Sequence, residues 1–139
     1  MDLYLKYKHH FISELGKGPL TDDVIDRVGK REFGSKWGGA VSQDDFKVRP
    51  DTYNIVNTCH RYGKGSHWCA IYVGKGNSIY IFDTFGRSST KLLHNIAKLK
   101  ATFIENKRVH QRDTSLCGQM SLAWLCCVRD IGLINSLRI

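Results

Sequence analysis

The chain has 139 residues, 42% hydrophobic and 24% charged, with 21 Lys and Arg against 13 Asp and Glu, a net charge of +8. Such a length and balance fit one folded domain over residues 1–139 that buries a core without disulfide staples. No apolar run reaches membrane-spanning length, and no secretory leader is expected, because MDLYLKYKHHFISEL mixes charge into its apolar positions.

The positive excess suits an acidic partner such as DNA, without requiring one. The five cysteines, Cys59, Cys69, Cys117, Cys126 and Cys127, are odd in number and form no C-x-x-C pair. Neither a metal site nor a disulfide framework is expected, and a reducing compartment fits best.

In chain order, residues 3–15 read as an amphipathic helix with Tyr4, Tyr7, Phe11, Ile12 and Leu15 on one side and a stop at Gly16. Thr21 is placed to cap a short helix, TDDVIDRV, with acids in its first turn. The following GKREFGSKWGGAVSQDDF carries four glycines and little periodicity, and reads as a loop long enough for a binding role. Trp37 within it is a packing anchor or part of a ligand groove, packing being the commoner role. Three strands are predicted at 53–58, 67–73 and 78–84, the last two joined by GKGN, a hairpin signal. Residues 89–100 return to helical spacing through Leu92, Leu93, Ile96 and Leu99. A short strand, FIE or KRVHQ, precedes a final helix over about 115–132, whose inner stripe is Leu116, Met120, Ala123, Trp124 and Cys127. Helices, a strand cluster and then helices indicate an α+β fold.

If Val73 faces Asn77 across the hairpin, His67 stands opposite Asp83 on the face of Cys69, Ile71, Ile79 and Ile81. Directly opposed residues have Cβ atoms roughly 4.5–5.5 Å apart, close enough for the carboxylate to accept from the imidazole. Taken by itself, a weak surface ion pair is the commoner arrangement. A one-residue slip of register would separate the two.

Cys117 falls in the first turn of the final helix, where the dipole and unpaired N–H groups favour thiolate, the nucleophilic form. Gly118 permits close approach of a backbone or substrate, and the apolar run that follows anchors the helix. Packing is nonetheless the commoner role for a cysteine, and Cys69, Cys126 and Cys127 read as core. Cys59 is set aside, because it and its neighbour His60 would point apart on a strand. Gln111, six residues before Cys117, could aim its amide N–H at the oxygen of a tetrahedral intermediate together with the Cys117 N–H. Its other reading is a loop glutamine facing water.

With these residues in place, the chain resembles the adenovirus-type cysteine proteases (adenain), relatives of the SUMO-deconjugating proteases. The resemblance rests on IVNT, GSHWCAIYV, IYIFDTFG and QRDTSLCG, with GKGP and GGAVS upstream, and spans roughly residues 16 to 130. The order His–Asp–Gln–Cys is theirs, whereas papain-like proteases place the cysteine first. By position, the resemblance implies Cys117 as nucleophile, His67 as general base, Asp83 as orienting acid and Gln111 as oxyanion donor. Trp68 would support the site by packing. It also implies a small mixed or antiparallel sheet packed against a central helix bearing the nucleophile, with flanking helices. The chain departs from the pattern in ending soon after that helix, where adenovirus enzymes continue, and in lacking a cysteine between residues 100 and 111. Adenovirus proteases bond a viral cofactor peptide through a cysteine there.

The activity so implied is endopeptidase cleavage of viral precursor proteins at Gly-containing sites, with Gly38 and Gly39 near the groove and Gly118 beside the nucleophile. The sequence requires no cofactor. The resemblance admits DNA or a viral peptide as activator, a monomer, and a place in the virion and host nucleus. Rival readings are a deconjugating protease for ubiquitin-like proteins or an acetyltransferase on the same fold. A rival of another class is a basic, non-catalytic module that binds nucleic acid.

Overall fold

The computed structural model describes residues 3–58, 67–86, 93, 96, 99, 103–106 and 116–139. Helices α1 (Leu3–Leu15) and α2 (Asp22–Phe33) open the chain, and a 3-10 turn (Gly34–Lys36) leads into the strands. These are β1 (Trp37–Ser42), β2 (Thr52–Asn57), β3 (Trp68–Val73), β4 (Ile79–Phe82) and β5 (Phe103–Glu105). Helices α3 (Cys117–Ile131) and α4 (Leu133–Ser136) follow. The strands form one sheet in sequential order. β1 runs parallel to β2 and β4 to β5, while β2–β3 and β3–β4 are antiparallel. The result is an α+β fold with a mixed sheet.

Side chains alternate across the strands, and both faces of the sheet are covered. Tyr53, Ile55, Ala70 and Phe82 point toward the helices, where they meet Phe11, Ile25, Val28 and α3. Val56, Cys69, Ile71, Val73, Ile79 and Ile81 point the other way and join Phe46, Leu93 and Ile96. Of the predicted 89–100 helix, Leu93 and Ile96 are buried and Leu99 is exposed; the other residues lie outside the described ones, as does KRVHQ.

The segment expected to be a loop after Val28 is ordered structure instead. Thr21 does cap α2, its hydroxyl accepting from the Val24 N–H at 3.5 Å, but the helix continues through Gly29 to Phe33. Gly29 is there for space: a Cβ on it would overlap the Trp37 ring. Trp37 is a packing anchor, with its indole N–H donating to Asp26 Oδ1 at 2.7 Å and its ring stacked on Phe33.

The β3–β4 hairpin pairs Val73 with Ile79, Ile71 with Ile81 and Ala70 with Phe82, two residues on from the expected register. The turn is responsible. Asn77 adopts φ +63°, its N–H donates to the Gly74 carbonyl, and the Gly74 N–H donates to Ser78 O at 2.9 Å. The loop is therefore Lys75–Asn77, a three-residue connection with its last residue left-handed. A shift of two leaves every side chain on its expected face.

Helix α3 differs from the predicted single stripe, since every residue from Cys117 to Val128 is buried. α1 covers one side and β3 the other, so the helix is buried around its circumference and reads as largely apolar all round. Among the described residues, no helix is long and apolar enough to cross a membrane.

Candidate active site

Three chain segments meet at one end of the sheet. His67 immediately precedes β3 and Asp83 immediately follows β4, and both are buried, at 4% and 1% exposure. His67 Nε2 donates to Asp83 Oδ1 at 2.5 Å. The two-residue register shift makes this a diagonal contact rather than a directly opposed one. Burial works against a charged imidazole here, but the hydrogen bond to Asp83 and the nearby Cys117 and Cys69 sulfurs outweigh it, pushing the His67 pKa up to about 11. His67 Nδ1 is buried and makes no hydrogen bond among the described residues. Among the described residues the imidazole is thus held through Nε2.

Cys117 is the first residue of α3 and is 5% exposed. Its Sγ accepts from the Trp68 backbone N–H at 3.4 Å. Leu116, at the N-cap position, has no polar side chain to satisfy the first-turn N–H groups, so these and the helix dipole are directed toward the sulfur's surroundings.

The segment 16–20 is strapped across this helix end. Gln119, fully buried, donates from its amide nitrogen to Gly16 O at 2.8 Å and Gly18 O at 2.9 Å. Trp68 Nε1 donates to Leu20 O at 3.0 Å, and the Ser121 hydroxyl donates to Trp68 O at 3.4 Å. Gly118 lies so near Leu20 that a Cβ there would stand 3.0–3.2 Å from the leucine side chain. Trp68 is thus half-buried and joins the sheet end, the strap and the cysteine.

Asp83 is fixed from behind by Asn106, just past β5. Its Oδ1 accepts from the Asp83 N–H at 2.7 Å and its Nδ2 donates to Asp83 O at 2.6 Å. Sequence reasoning singled out neither Asn106 nor Gln119. A polar residue in the first turn of an otherwise apolar helix is a weak signal for Gln119; nothing local points to Asn106.

Gln111 lies outside the described residues. Gly38 and Gly39 lie on β1, two strands from β3. Gly38 has no room for a Cβ against Asn54, and Gly39, at φ +127°, sits at the bulge between Trp37 and Gly39. Gly39 aligns with Asn54 and hence Ile71. At about 3.3 Å per residue and 4.8 Å per strand, that is roughly 14 Å from Trp68. Both glycines thus lie on β1, away from the start of β3 where the cysteine sulfur is bound. Cys126 and Cys127 are deep in α3 with no exposure, and Cys126, whose thiol burial pushes up, lies 3.8 Å from Glu32 Oε1. Cys69 is more than core, since its sulfur lies 3.9 Å from Asp83 Oδ1. None of the four described cysteines is in a disulfide.

A buried imidazole–carboxylate pair beside a cysteine at the head of a central helix, on an α+β sheet, is the outline of a cysteine peptidase. The family model for the adenovirus endoprotease matches residues 35–127, about two thirds of the chain, and the chain belongs to that family, the adenain type of cysteine protease. No curated protein matches it in sequence.

Proposed function

We propose that the protein is an endopeptidase that cleaves viral precursor proteins through Cys117, His67, Asp83 and Gln111. The observation that carries this reading is the 2.5 Å bond between His67 and Asp83, with His67 Nδ1 left unengaged and the Cys117 sulfur beside the ring. The Cys117 proton passes to His67, or the two rest as an ion pair, and the sulfur attacks the scissile carbonyl. The Cys117 N–H and the Gln111 amide stabilise the oxyanion, at about 2.7–4 kcal/mol per donor in comparable sites. The C–N bond breaks as His67 protonates the leaving amine, and water then hydrolyses the thioester with His67 again as base. Asp83 keeps the ring oriented and stabilises its charged form.

Glycine beside the cleaved bond follows from the family resemblance. Gly118 packed under Leu20 and the strap 16–20 pinned near the cysteine support a narrow groove. The net charge of +8 supports DNA as an activator, and family membership supports action in the virion and host nucleus.

The test is a Gly-containing precursor peptide assayed beside a ubiquitin-like protein with a Gly-Gly tail, with and without DNA. Cleavage of the first, lost in Cys117→Ser while the circular dichroism spectrum persists, is the expected result. Undiminished turnover by Cys117→Ser overturns the assignment. Preferential release of the ubiquitin-like tail would make the protein a deconjugating enzyme instead.

A further inference from the structure

Cys69 has no part in the proposed peptide cleavage, yet its sulfur lies against the pair that would drive it. The register that joins Ala70 to Phe82 continues to Cys69 opposite Asp83, and the sulfur stands 3.9 Å from Asp83 Oδ1. His67, two residues back on the same side, closes the group. An imidazole nitrogen, a thiol sulfur and a carboxylate oxygen, one from each residue, lie within 4.8 Å of one another. All three residues are buried, Cys69 completely.

We propose that His67, Cys69 and Asp83 form a binding site for a soft divalent cation of the zinc type, separate from the nucleophile. The donor set selects the ion. One nitrogen, one sulfur and one carboxylate suit zinc, whereas magnesium and calcium need several oxygens. Bonds of about 2.0–2.3 Å place the donors of a tetrahedral ion roughly 3.3–3.7 Å apart, so the group needs only a small opening between His67 and Asp83. On binding, the thiol proton of Cys69 and the proton of His67 Nε2 leave to solvent. The thiolate and carboxylate then neutralise the ion, which removes the main cost of burying it. Cys117 is not among the converging donors.

Occupation replaces the His67–Asp83 hydrogen bond with two metal bonds and ties the imidazole to the ion. If the peptidase reading holds, such a cation switches the enzyme off without touching its nucleophile. That consequence rests on the proposed function, while the binding site itself does not.

The experiment is a Co2+ titration of the full chain carrying Cys117→Ala. One equivalent should bind with a thiolate-to-cobalt absorption band in the near ultraviolet, and one equivalent of Zn2+ should displace it. Adding Cys69→Val should abolish the band. Adding Asp83→Asn, which keeps the thiol, should weaken binding at least tenfold, and it reports on the site even if the Cys69 variant fails to fold. Absence of the band in Cys117→Ala, or a band undiminished by either second substitution, overturns the proposal. Because Cys117→Ala is used throughout, the outcome does not depend on whether the native chain hydrolyses peptides.

Discussion

The backbone N–H of Trp68 meets the sulfur of Cys117 at 3.4 Å, across 49 residues of sequence. The donor is main chain, so the sulfur's position is set by how the head of α3 seats against the start of β3. Three side-chain hydrogen bonds from Trp68 and Gln119 to the 16–20 strap complete that seating.

Gln119→Leu keeps the volume and removes two of these bonds, leaving the carbonyls of Gly16 and Gly18 without their partner. Leu also removes a buried amide oxygen that has no partner among the described residues, which offsets part of the loss. The expected destabilisation is about 1–2 kcal/mol, read by urea denaturation. If the strap forms a wall of the substrate groove, KM should rise more than kcat falls.

Asp83→Asn leaves the buried imidazole without its anionic partner. In triads the loss of such an orienting acid costs about 10⁴ in kcat, and a fall of roughly 10²–10⁴ is expected here, measured in steady-state kinetics. Stability should also drop, because breaking one side of a buried pair costs about 3–5 kcal/mol. The local backbone should survive, since Asn106 bonds the main chain of residue 83 and not its carboxylate.

Gly29→Ala illustrates a glycine required for space. Alanine gains about 1 kcal/mol of helix propensity, but its methyl group would occupy the place of the Trp37 ring. Overpacking of this kind costs about 1–3 kcal/mol, so a net loss of melting temperature is expected. Adding Trp37→Phe, a smaller ring, should recover part of it, making the double mutant less than additive.

Asp26 gives a pH signature. Partial burial opposes its charge, but hydrogen bonds from Trp37 and Lys30 outweigh that and hold its pKa below the usual 3.8. A lowered carboxylate stabilises the fold above its unfolded pKa and loses that contribution as pH falls through the folded one. Its side chain is 37% exposed, so solvent screens the effect. Asp26→Asn should cost about 0.5–1 kcal/mol at pH 7. That difference should shrink as pH falls below the usual carboxylate range and disappear once the folded carboxyl is protonated, as followed by chemical denaturation across the acid range.

The sequence made the repeating parts legible. α1 spans the residues that its periodicity predicts, and β2, β3 and β4 fall within a residue or two of their apolar runs. The 29–46 segment reads as a loop because glycine ordinarily breaks helices, whereas Gly29 and Gly38 serve tertiary contacts that composition does not reveal. The hairpin register was two residues out because the turn closes on a left-handed Asn77. The pairing of His67 with Asp83 survived because the error was even. Asn106 and Gln119 were not legible, since each acts on a backbone group that only the fold brings near.

The bonds from Gln119 to Gly16 and Gly18 span 103 and 101 residues. Segments so distant along the chain meet late in folding, after the entropy of closing long loops has been overcome. During synthesis, a ribosome must release more than a hundred residues after residue 16 before residue 119 can reach it. If Cys117 is the nucleophile and depends on that clasp, the protease stays inert while this stretch is being translated and matures only as the two distant segments come together.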